Sequence, residues 1–190
     1  MTSLAIENSG QYGTVAASLD SEIVLKAEFQ KAGELSVCVE RAIKRLPAVD
    51  EVIVGIGPGS YTGLRIAASI AFGLELSINC QTFGCPSVLG YEMDSYAVVG
   101  DARRQLLFFA VVRNGSLAES PRLVPARAIG AIRAAVTDLP LFAATPIPGC
   151  DDLPLRIPEA EFLLWRRNSF TALTEPLYLK DPHTTPPAAP

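Results

Sequence analysis

Two acidic side chains in this sequence stand where carboxylates could take part in chemistry. Glu7 follows the apolar segment Leu4–Ile6, and Asp101 follows the apolar segment Tyr96–Gly100. Such segments predict short buried strands, so each acid would lie at a strand end. Two carboxylates that face each other across a cleft can hold Mg²⁺ or act as general acid and base. We favour surface or cleft-lining carboxylates without a catalytic role, because no phosphate-binding cradle of glycine and Thr or Ser follows Glu7.

Other catalytic groups are scarce. Ser60 has no evident base, and the chain has one histidine, His183. A histidine-based triad within one chain is therefore excluded unless the end of the chain folds back. The cysteines form no C-x-x-C pair, so a zinc or iron site is not expected and buried free thiols are the simpler interpretation. These cysteines are Cys38, Cys80, Cys85 and Cys150.

A glycine-rich segment organises the rest of the chain. It begins with an apolar run, Val52–Ile56, which predicts a buried strand, and continues as Gly57-Pro58-Gly59-Ser60-Tyr61-Thr62-Gly63. The spacing fits neither the P-loop nor the dinucleotide fingerprint, so we favour a tight strand-to-helix turn over direct phosphate binding. Ser60 or Thr62 can cap the helix that follows.

The helix predicted over residues 63–76 is apolar around nearly its whole circumference. A helix of this kind must be covered on all sides. Either the chain's own sheet and helices cover it, or another subunit covers one face. The small residues Gly63, Ala67 and Ala71 recur every four positions and would let a second backbone approach closely. A second, amphipathic helix is predicted over residues 35–46.

Composition limits the classes of function. The chain has 190 residues and a net charge of −4, which argues against a protein that grips nucleic acid unaided. No apolar run reaches the ~20 residues of a membrane span. The start, Met1-Thr2-Ser3-Leu4, lacks the basic-then-apolar shape of a signal peptide, so we expect a cytoplasmic protein.

The order of predicted elements occurs twice. Three strands, a helix and a strand in residues 1–95 recur in shorter form in residues 96–180. The duplication predicts an α/β protein of two like lobes, each a mixed sheet with helices packed on it, with the second lobe reduced. In detail we predict a brief helix over residues 86–93, a strand over 116–124, a helix over 126–138 and a last strand over 176–180. Residues 181–190, which include four prolines, are predicted to form a disordered tail.

Residues 57–66, Gly-Pro-Gly-Ser-Tyr-Thr-Gly-Leu-Arg-Ile, closely resemble the signature of the TsaB family. The repeated element order and the acid after the first strand also resemble the actin/sugar-kinase/Hsp70 superfamily, to which that family belongs and whose lobes are RNase H-like. The resemblance covers residues 1–113 well and the remainder thinly. Glu7-Asn8 stands where the family usually has Asp-Thr, and Ala67 stands where glycine is common.

The resemblance implies a non-catalytic subunit in the synthesis of tRNA threonylcarbamoyladenosine. TsaB-type chains bind the catalytic subunit TsaD and, with it, the ATPase TsaE. They form homodimers when alone, and they meet tRNA only through the complex. The implied contact is made by the helices of the first lobe. The residues we expect to bind the partner are Leu35, Val39, Ala42, Gly63, Leu64, Ala67, Ile70 and Ala71. Arg65 would brace the loop Gly57–Gly63, which we call the signature loop, or form an interface ion pair, and bracing is preferred.

An alternative is an ATP-dependent enzyme of the same superfamily, in which Glu7 and Asp101 would hold a metal–nucleotide as the acids of active members do. Under the leading hypothesis the chain alone binds no cofactor, and ATP or ADP with Mg²⁺ is expected only in the complex. A hydrolase that uses Ser60 is a third and more remote hypothesis.

Overall fold

A computed structural model describes residues 1–30, 32–173 and 175–179. The first half of the chain forms a mixed sheet with two long helices on one side. Strand β1 lies between its antiparallel neighbour β2 and the parallel strand β4, and β5 pairs parallel to β4. These elements are β1 (Thr2–Glu7), β2 (Gly13–Leu19), β3 (Glu22–Phe29), α1 (Ala32–Ile43), β4 (Glu51–Gly55), α2 (Tyr61–Ile78) and β5 (Gln81–Cys85).

The second sheet repeats the pattern in reduced form, as the duplication predicted. Strand β6 pairs with the antiparallel β7 and the parallel β10, and β8 and β9 both pair with β7. These elements are β6 (Tyr96–Asp101), β7 (Leu106–Arg113), β8 (Ser116–Leu117), β9 (Arg122–Pro125), α3 (Ile129–Ala135) and β10 (Leu141–Ala143). The molecule is thus an α/β protein with two sheets and two lobes, and the predicted fold class is confirmed.

The apolar pattern of the central strands builds three cores in a layered stack. Alternate side chains of β1 point to opposite faces, so Leu4 joins the core beneath α1 and α2, whereas Ala5 joins the core between the two sheets. Strand β6 divides in the same way: Val98 faces the first sheet and Val99 faces the core beneath α3. No helix among the described residues is both long and apolar enough to cross a membrane.

Three local predictions are corrected. The strand predicted over residues 116–124 is broken into β8 and β9, because Pro121 cannot donate to a ladder. The helix predicted over 126–138 begins as a 3-10 turn, Ala126–Ala128, and α3 ends at Ala135. The brief helix predicted over 86–93 is a single 3-10 turn, Ser87–Leu89.

The C-terminal region returns to the first lobe, which differs from the predicted partition at residue 95. A short helix, α4 (Ala160–Leu163), packs on β1, β2 and β4, and β11 (Thr171–Ala172) extends the first sheet beside β5. The strand predicted over 176–180 is wrong for residues 176–179, which form no strand. Its last residue, Lys180, and the predicted tail over 181–190 lie outside the described residues.

Arg166 fastens this returning segment to the connection between the lobes. Its guanidinium donates to the carbonyl oxygens of Leu89, Tyr91 and Met93 at 3.3, 3.1 and 3.1 Å, and to Asp94 Oδ1 at 2.7 Å. The side chain is only 11% exposed. One residue thus satisfies several backbone acceptors in the connection that joins β5 to β6.

Replacement of Arg166 should therefore lower stability strongly. We expect Arg166→Ala to reduce the free energy of unfolding by about 2–4 kcal/mol, because buried carbonyls lose their donors. Arg166→Lys should recover little, since one ammonium cannot reproduce the planar fork. Urea denaturation measures both. Arg113→Ala, which removes an exposed ion pair with Asp138, is the control and should change stability by less than about 1 kcal/mol. A wild-type unfolding curve for Arg166→Lys would contradict this account.

Candidate functional site

The signature loop connects β4 to α2 and includes the first residues of the helix. The Gly57–Pro58 peptide is cis, and Gly57 has φ 102°, which favours glycine. Ser60 caps α2: its Oγ accepts from the backbone N–H of Gly63 at 3.2 Å, and its carbonyl accepts from Leu64 N at 2.9 Å. Of the two predicted capping residues, the structure selects Ser60.

The turn that follows β1 packs against the glycines of this loop. Ser60 N donates to the Ser9 carbonyl at 2.8 Å, and Asn8 Nδ2 donates to the Gly63 carbonyl at 3.0 Å. A Cβ at Gly59 would lie 2.4 Å from the Ser9 carbonyl oxygen, and one at Gly63 would lie 2.0 Å from the Asn8 carbonyl oxygen. Backbone therefore packs directly against backbone here, which gives the glycine spacing a structural role and supports the tight-turn interpretation.

Glu7 lies beneath this contact and is fully buried. Its Oε1 accepts from Ser9 N at 2.6 Å, whereas its Oε2 has no hydrogen-bond partner among the described residues. Gly55 makes room for it, since a Cβ there would lie 1.8 Å from Oε2. Burial raises the pKa of Glu7 above its ordinary value, and the nearby hydrogen-bonding groups of Ser9, Ser87 and the Asn8 backbone oppose the shift. Burial and the nearby Glu7 carboxylate also raise the pKa of Cys85 to about 12.

Asp101 lies elsewhere, at a cavity of about 650 Å³ between the lobes. Its backbone N–H donates to Thr145 Oγ1 at 2.7 Å, and its Oδ1 accepts from Arg103 N at 2.8 Å. Residues of the signature loop and of the turn after β1 form the opposite wall, including Ser9 and Ser60. Glu7 is not among the residues that line this cavity. The structure therefore does not bring the two predicted metal–nucleotide acids together, because Glu7 is enclosed beneath the turn.

The described residues also offer little else for metal or nucleophilic chemistry. They contain no group of three or more His, Cys, Asp or Glu side chains placed to hold a metal ion. The Ser60 hydroxyl is used as the helix cap, and His183 lies outside the described residues. All four cysteines are free and buried, as predicted.

The predicted partner-binding residues are mostly inside the monomer. The small-residue row of α2 faces the chain's own sheet, and the predicted residues of α1 face the same core. Only Ile70 among the eight is partly exposed. The assignment is corrected for the buried members Leu35, Val39, Ala42, Gly63, Leu64, Ala67 and Ala71. The physical reason is that a row of small side chains lets α2 lie close to its own sheet and to the Asn8 backbone.

The exposed side of α2 carries a second row of small residues that the sequence analysis missed. Ser69 and Gly73 are exposed, and a Cβ at Gly73 would meet no atom within 4 Å. Leu76 is 88% exposed on the same side, and Ile66 and Ile70 flank the row. We call this surface, formed by Ile66, Ser69, Ile70, Gly73 and Leu76, the outer face of α2. Its signal was present in the sequence as the four-residue spacing of Ser69, Gly73 and Ser77.

Arg65 lies at the N-terminal end of the outer face. Its Nη1 donates to the Tyr61 hydroxyl at 2.5 Å, and its guanidinium lies 5.3 Å from the centroid of that ring. This hydrogen bond goes to a phenol in the first turn of α2 and not to a loop carbonyl, so bracing of the loop by Arg65 stays a prediction.

The chain is similar to known proteins both in part of its sequence and in its fold. Residues 29–116 match the family model described as TsaD: tRNA N6-adenosine threonylcarbamoyltransferase. Among curated proteins, none matches the chain. Two solved structures from Pseudomonas aeruginosa, YeaZ and a protein with similarity to peptidase YeaZ, share 22% identity with it at a TM-score of 0.69, and the match covers 94% of this chain and 99% of theirs. The ethanolamine utilization protein EutJ from Carboxydothermus hydrogenoformans matches at a TM-score of 0.53 with 8% identity over 89% of each chain.

These matches confirm the resemblance seen in residues 57–66, since YeaZ is the TsaB-type protein. Residues 29–116 are thus similar to the TsaD family model, and the chain as a whole shares the fold of YeaZ.

Proposed function

We propose that this chain is a non-catalytic subunit for tRNA modification, which binds and supports a TsaD-like catalytic subunit that makes threonylcarbamoyladenosine. The relation to YeaZ and to the TsaD family model suggests tRNA modification. The outer face of α2 is the observation that carries the partner role, because Gly73 and Leu76 on this face are exposed in the monomer.

Gly73 is the most informative of these features. A glycine inside an exposed helix destabilises it by about 1 kcal/mol relative to alanine, and open space around Gly73 would admit the larger residue. A glycine is useful there when a second helix lies against it, because the two backbones can then approach closely. Leu76 supports the same interpretation, since burial of a leucine side chain stabilises an interface by about 1.5–3 kcal/mol.

The commitment of each candidate catalytic residue to a structural contact supports the non-catalytic role. Glu7 is enclosed beneath the turn after β1, Asp101 accepts from the backbone of its own turn, and Ser60 caps α2. A chain built in this way can act by presenting a surface.

The same proposal includes the assembly in which the chain works. The chain alone forms a homodimer through the outer face of α2, and a TsaE-like ATPase joins the complex with the TsaD-like subunit. The net charge of −4 supports contact with tRNA only through the complex. ATP or ADP with Mg²⁺ binds in the complex and not to the isolated chain.

The interlobe cavity is the observation that favours the second candidate, an ATP-dependent enzyme. Its volume of about 650 Å³ would admit a nucleotide, and Asp101 lies on its wall. Calorimetry with Mg-ATP on the isolated chain separates the two candidates. Tight binding that is lost in Asp101→Ala would favour the enzyme, and absence of binding favours the scaffold.

A double substitution on the outer face tests the partner role. Ser69→Arg together with Gly73→Arg should weaken both self-association and binding to the TsaD-type subunit of the same organism by about 30- to 100-fold, the equivalent of about 2–3 kcal/mol. Both positions are exposed, so the monomer should stay folded. Sedimentation velocity and isothermal calorimetry measure the two affinities.

The matched control is Gly130→Arg, on the exposed side of α3, where a Cβ would also meet no atom within 4 Å. It should leave both affinities unchanged. Substitution of Ala67 or Ala71 is not a useful test, because both are fully buried and a large side chain would disrupt the core. Wild-type association by the double variant would overturn the proposed interface.

A further inference from the structure

Two buried tyrosines that touch each other differ in what their hydroxyl groups do. The rings of Tyr91 and Tyr96 lie 5.5 Å apart in a T-shaped arrangement, and both pack against Phe142. The Tyr96 hydroxyl donates to the Val88 carbonyl at 2.6 Å. Tyr91 is only 3% exposed, yet its hydroxyl forms no hydrogen bond with any residue that the structure describes. Because a buried tyrosine hydroxyl usually has a partner, the one on Tyr91 calls for a ligand or a solvent-filled space.

The Tyr91 hydroxyl opens into the interlobe cavity. Tyr91 lines this cavity, whose volume is about 650 Å³. Within the described part of the chain, Glu7 Oε2 is the one fully enclosed side-chain oxygen or nitrogen without a hydrogen-bond partner. The Tyr91 hydroxyl is therefore not enclosed by protein, and the space that it reaches is the cavity that its side chain lines. The ring contacts with Tyr96 and Phe142 hold this donor in place.

Further donors border the same cavity at the beginning of α2. The backbone N–H groups of Tyr61 and Thr62 belong to the first turn of the helix, and neither has an acceptor among residues 1–30, 32–173 and 175–179. Such groups form the positive end of the helix dipole and attract anions. Ser60 Oγ already accepts from Gly63 N, so its own proton is available to a ligand.

The opposite wall of the cavity carries one charge of each sign. The Arg103 guanidinium is 90% exposed and lies 3.8 Å from Asp101 Oδ2, so it offsets the negative charge there. Thr145 Oγ1 accepts from Asp101 N and keeps its proton for another partner. Donors therefore predominate among the polar groups, which suits an anion. Val88 and Phe108 belong to the apolar part of the lining, which suits a flat hydrocarbon body.

We propose that the interlobe cavity binds a small organic anion, which is a carboxylate or a phosphate monoester with a flat apolar body. Its anionic oxygens accept from the N–H groups of Tyr61 and Thr62, and the Tyr91 hydroxyl donates to the same ligand from the buried side. Val88 and Phe108 contact its body. The glycines of the signature loop keep their structural role, because the donors belong to the helix and to Tyr91. The site is separate from the outer face of α2, so it does not rest on the proposed function.

The test measures the binding of benzoate and of phenyl phosphate to the full chain, with Tyr91→Phe and Tyr96→Phe as a matched pair. In isothermal calorimetry with EDTA present, at least one probe should bind, and inorganic phosphate, which has no apolar body, should bind more weakly. The tighter of the two probes identifies the anionic group as carboxylate or phosphate ester. Tyr91→Phe should weaken binding by about tenfold, the effect of one hydrogen bond to a charged group. Tyr96→Phe should keep the affinity within about twofold of wild type, because its hydroxyl is directed to Val88.

The unfolding midpoint in urea, measured without ligand, should show the reverse order. Tyr91→Phe should match wild type, whereas Tyr96→Phe should unfold at a lower urea concentration, because only Tyr96 loses a hydrogen bond within the protein. A lower midpoint in Tyr91→Phe would mean that its hydroxyl has a partner within the protein, and it would overturn the site.

The binding data can also contradict the proposal directly. Equal affinity of wild type and Tyr91→Phe for both probes, or no binding of either probe at millimolar concentration, would overturn it. Binding of phenyl phosphate that needs Mg²⁺ and is lost in Asp101→Ala would overturn it in favour of the metal–nucleotide site of the second candidate. Each of these results leaves the test of the outer face of α2 unaffected, because that test measures association between proteins.

Discussion

Gly63→Ala is expected to lower the free energy of unfolding by about 3 kcal/mol or more, although alanine is the better helix former. The added Cβ would lie 2.0 Å from the Asn8 carbonyl oxygen, which is backbone and cannot rotate away. Relief would require separation of α2 from the turn after β1, with loss of the hydrogen bonds from Ser60 N to Ser9 and from Asn8 Nδ2 to Gly63. Urea or thermal denaturation of the purified variant measures the effect.

Gly73→Ala, ten residues later in the same helix, is the matched control and should have the opposite sign. Its Cβ would enter open space, so the monomer should gain about 1 kcal/mol from helix propensity. Two identical substitutions in one helix therefore separate the inner glycine, which serves the fold, from the outer one, which we assign to a partner. Equal effects on stability at both positions would show that helix propensity alone governs them.

This pair also shows where sequence reasoning stops for α2. The apolar composition predicts the helix correctly, because this follows from residue type and period, but in the monomer only the side that faces the sheet is buried. It does not tell which of two rows of small residues faces inward. That choice depends on the Asn8 backbone, which approaches from a turn more than fifty residues earlier in the chain. The row of Gly63, Ala67 and Ala71 was therefore assigned to the wrong side.

The strands were predictable to different degrees for a related reason. Strands β1, β4 and β6 are apolar on both faces, and their burial is nearly complete whatever pairs with them. β11 has only two residues, and most of the second lobe separates it in sequence from its partner β5. No local sequence pattern therefore predicts this strand. The returning segment depends instead on specific long-range contacts such as those of Arg166.

Glu7 was predicted as a candidate metal-binding or catalytic acid because it stands at the end of the first strand. The same position explains why its side chain is buried. The strand end passes beneath the signature loop, and Gly55 on the neighbouring strand admits the carboxyl group. The result is an acid with one unpartnered oxygen in the interior of the first lobe. The sequence departs from the family's usual aspartate at this point, and a longer side chain would carry the carboxyl group farther from the strand.

Glu7→Gln is expected to stabilise the protein at pH 7.5 by about 1–3 kcal/mol, the penalty typical of a buried polar group whose partners are incomplete. Burial raises the pKa of Glu7 in the folded state above its value in the unfolded chain. Between these two pKa values the folded protein holds a proton that the unfolded chain has released. The contribution of Glu7 to stability therefore falls as the pH rises through this window, and the loss is complete above the folded pKa. Glutamine has the same shape and does not ionise, so it avoids this loss, and its amide could donate toward Ser87 Oγ, which borders the same site.

The measurement is the free energy of unfolding from urea titrations between pH 4 and pH 8. We expect wild type and Glu7→Gln to be close in stability near pH 4, below the window, and to diverge as the pH rises. Glu22→Gln, an exposed substitution on β3, should follow wild type throughout. A variant that is less stable than wild type at pH 7.5, with a parallel pH profile, would mean that the ionised carboxylate is held by interactions stronger than the bond to Ser9 N. The ionised Glu7 carboxylate would then stabilise the turn after β1, and the packing of Gly59 and Gly63 against that turn would depend on its charge.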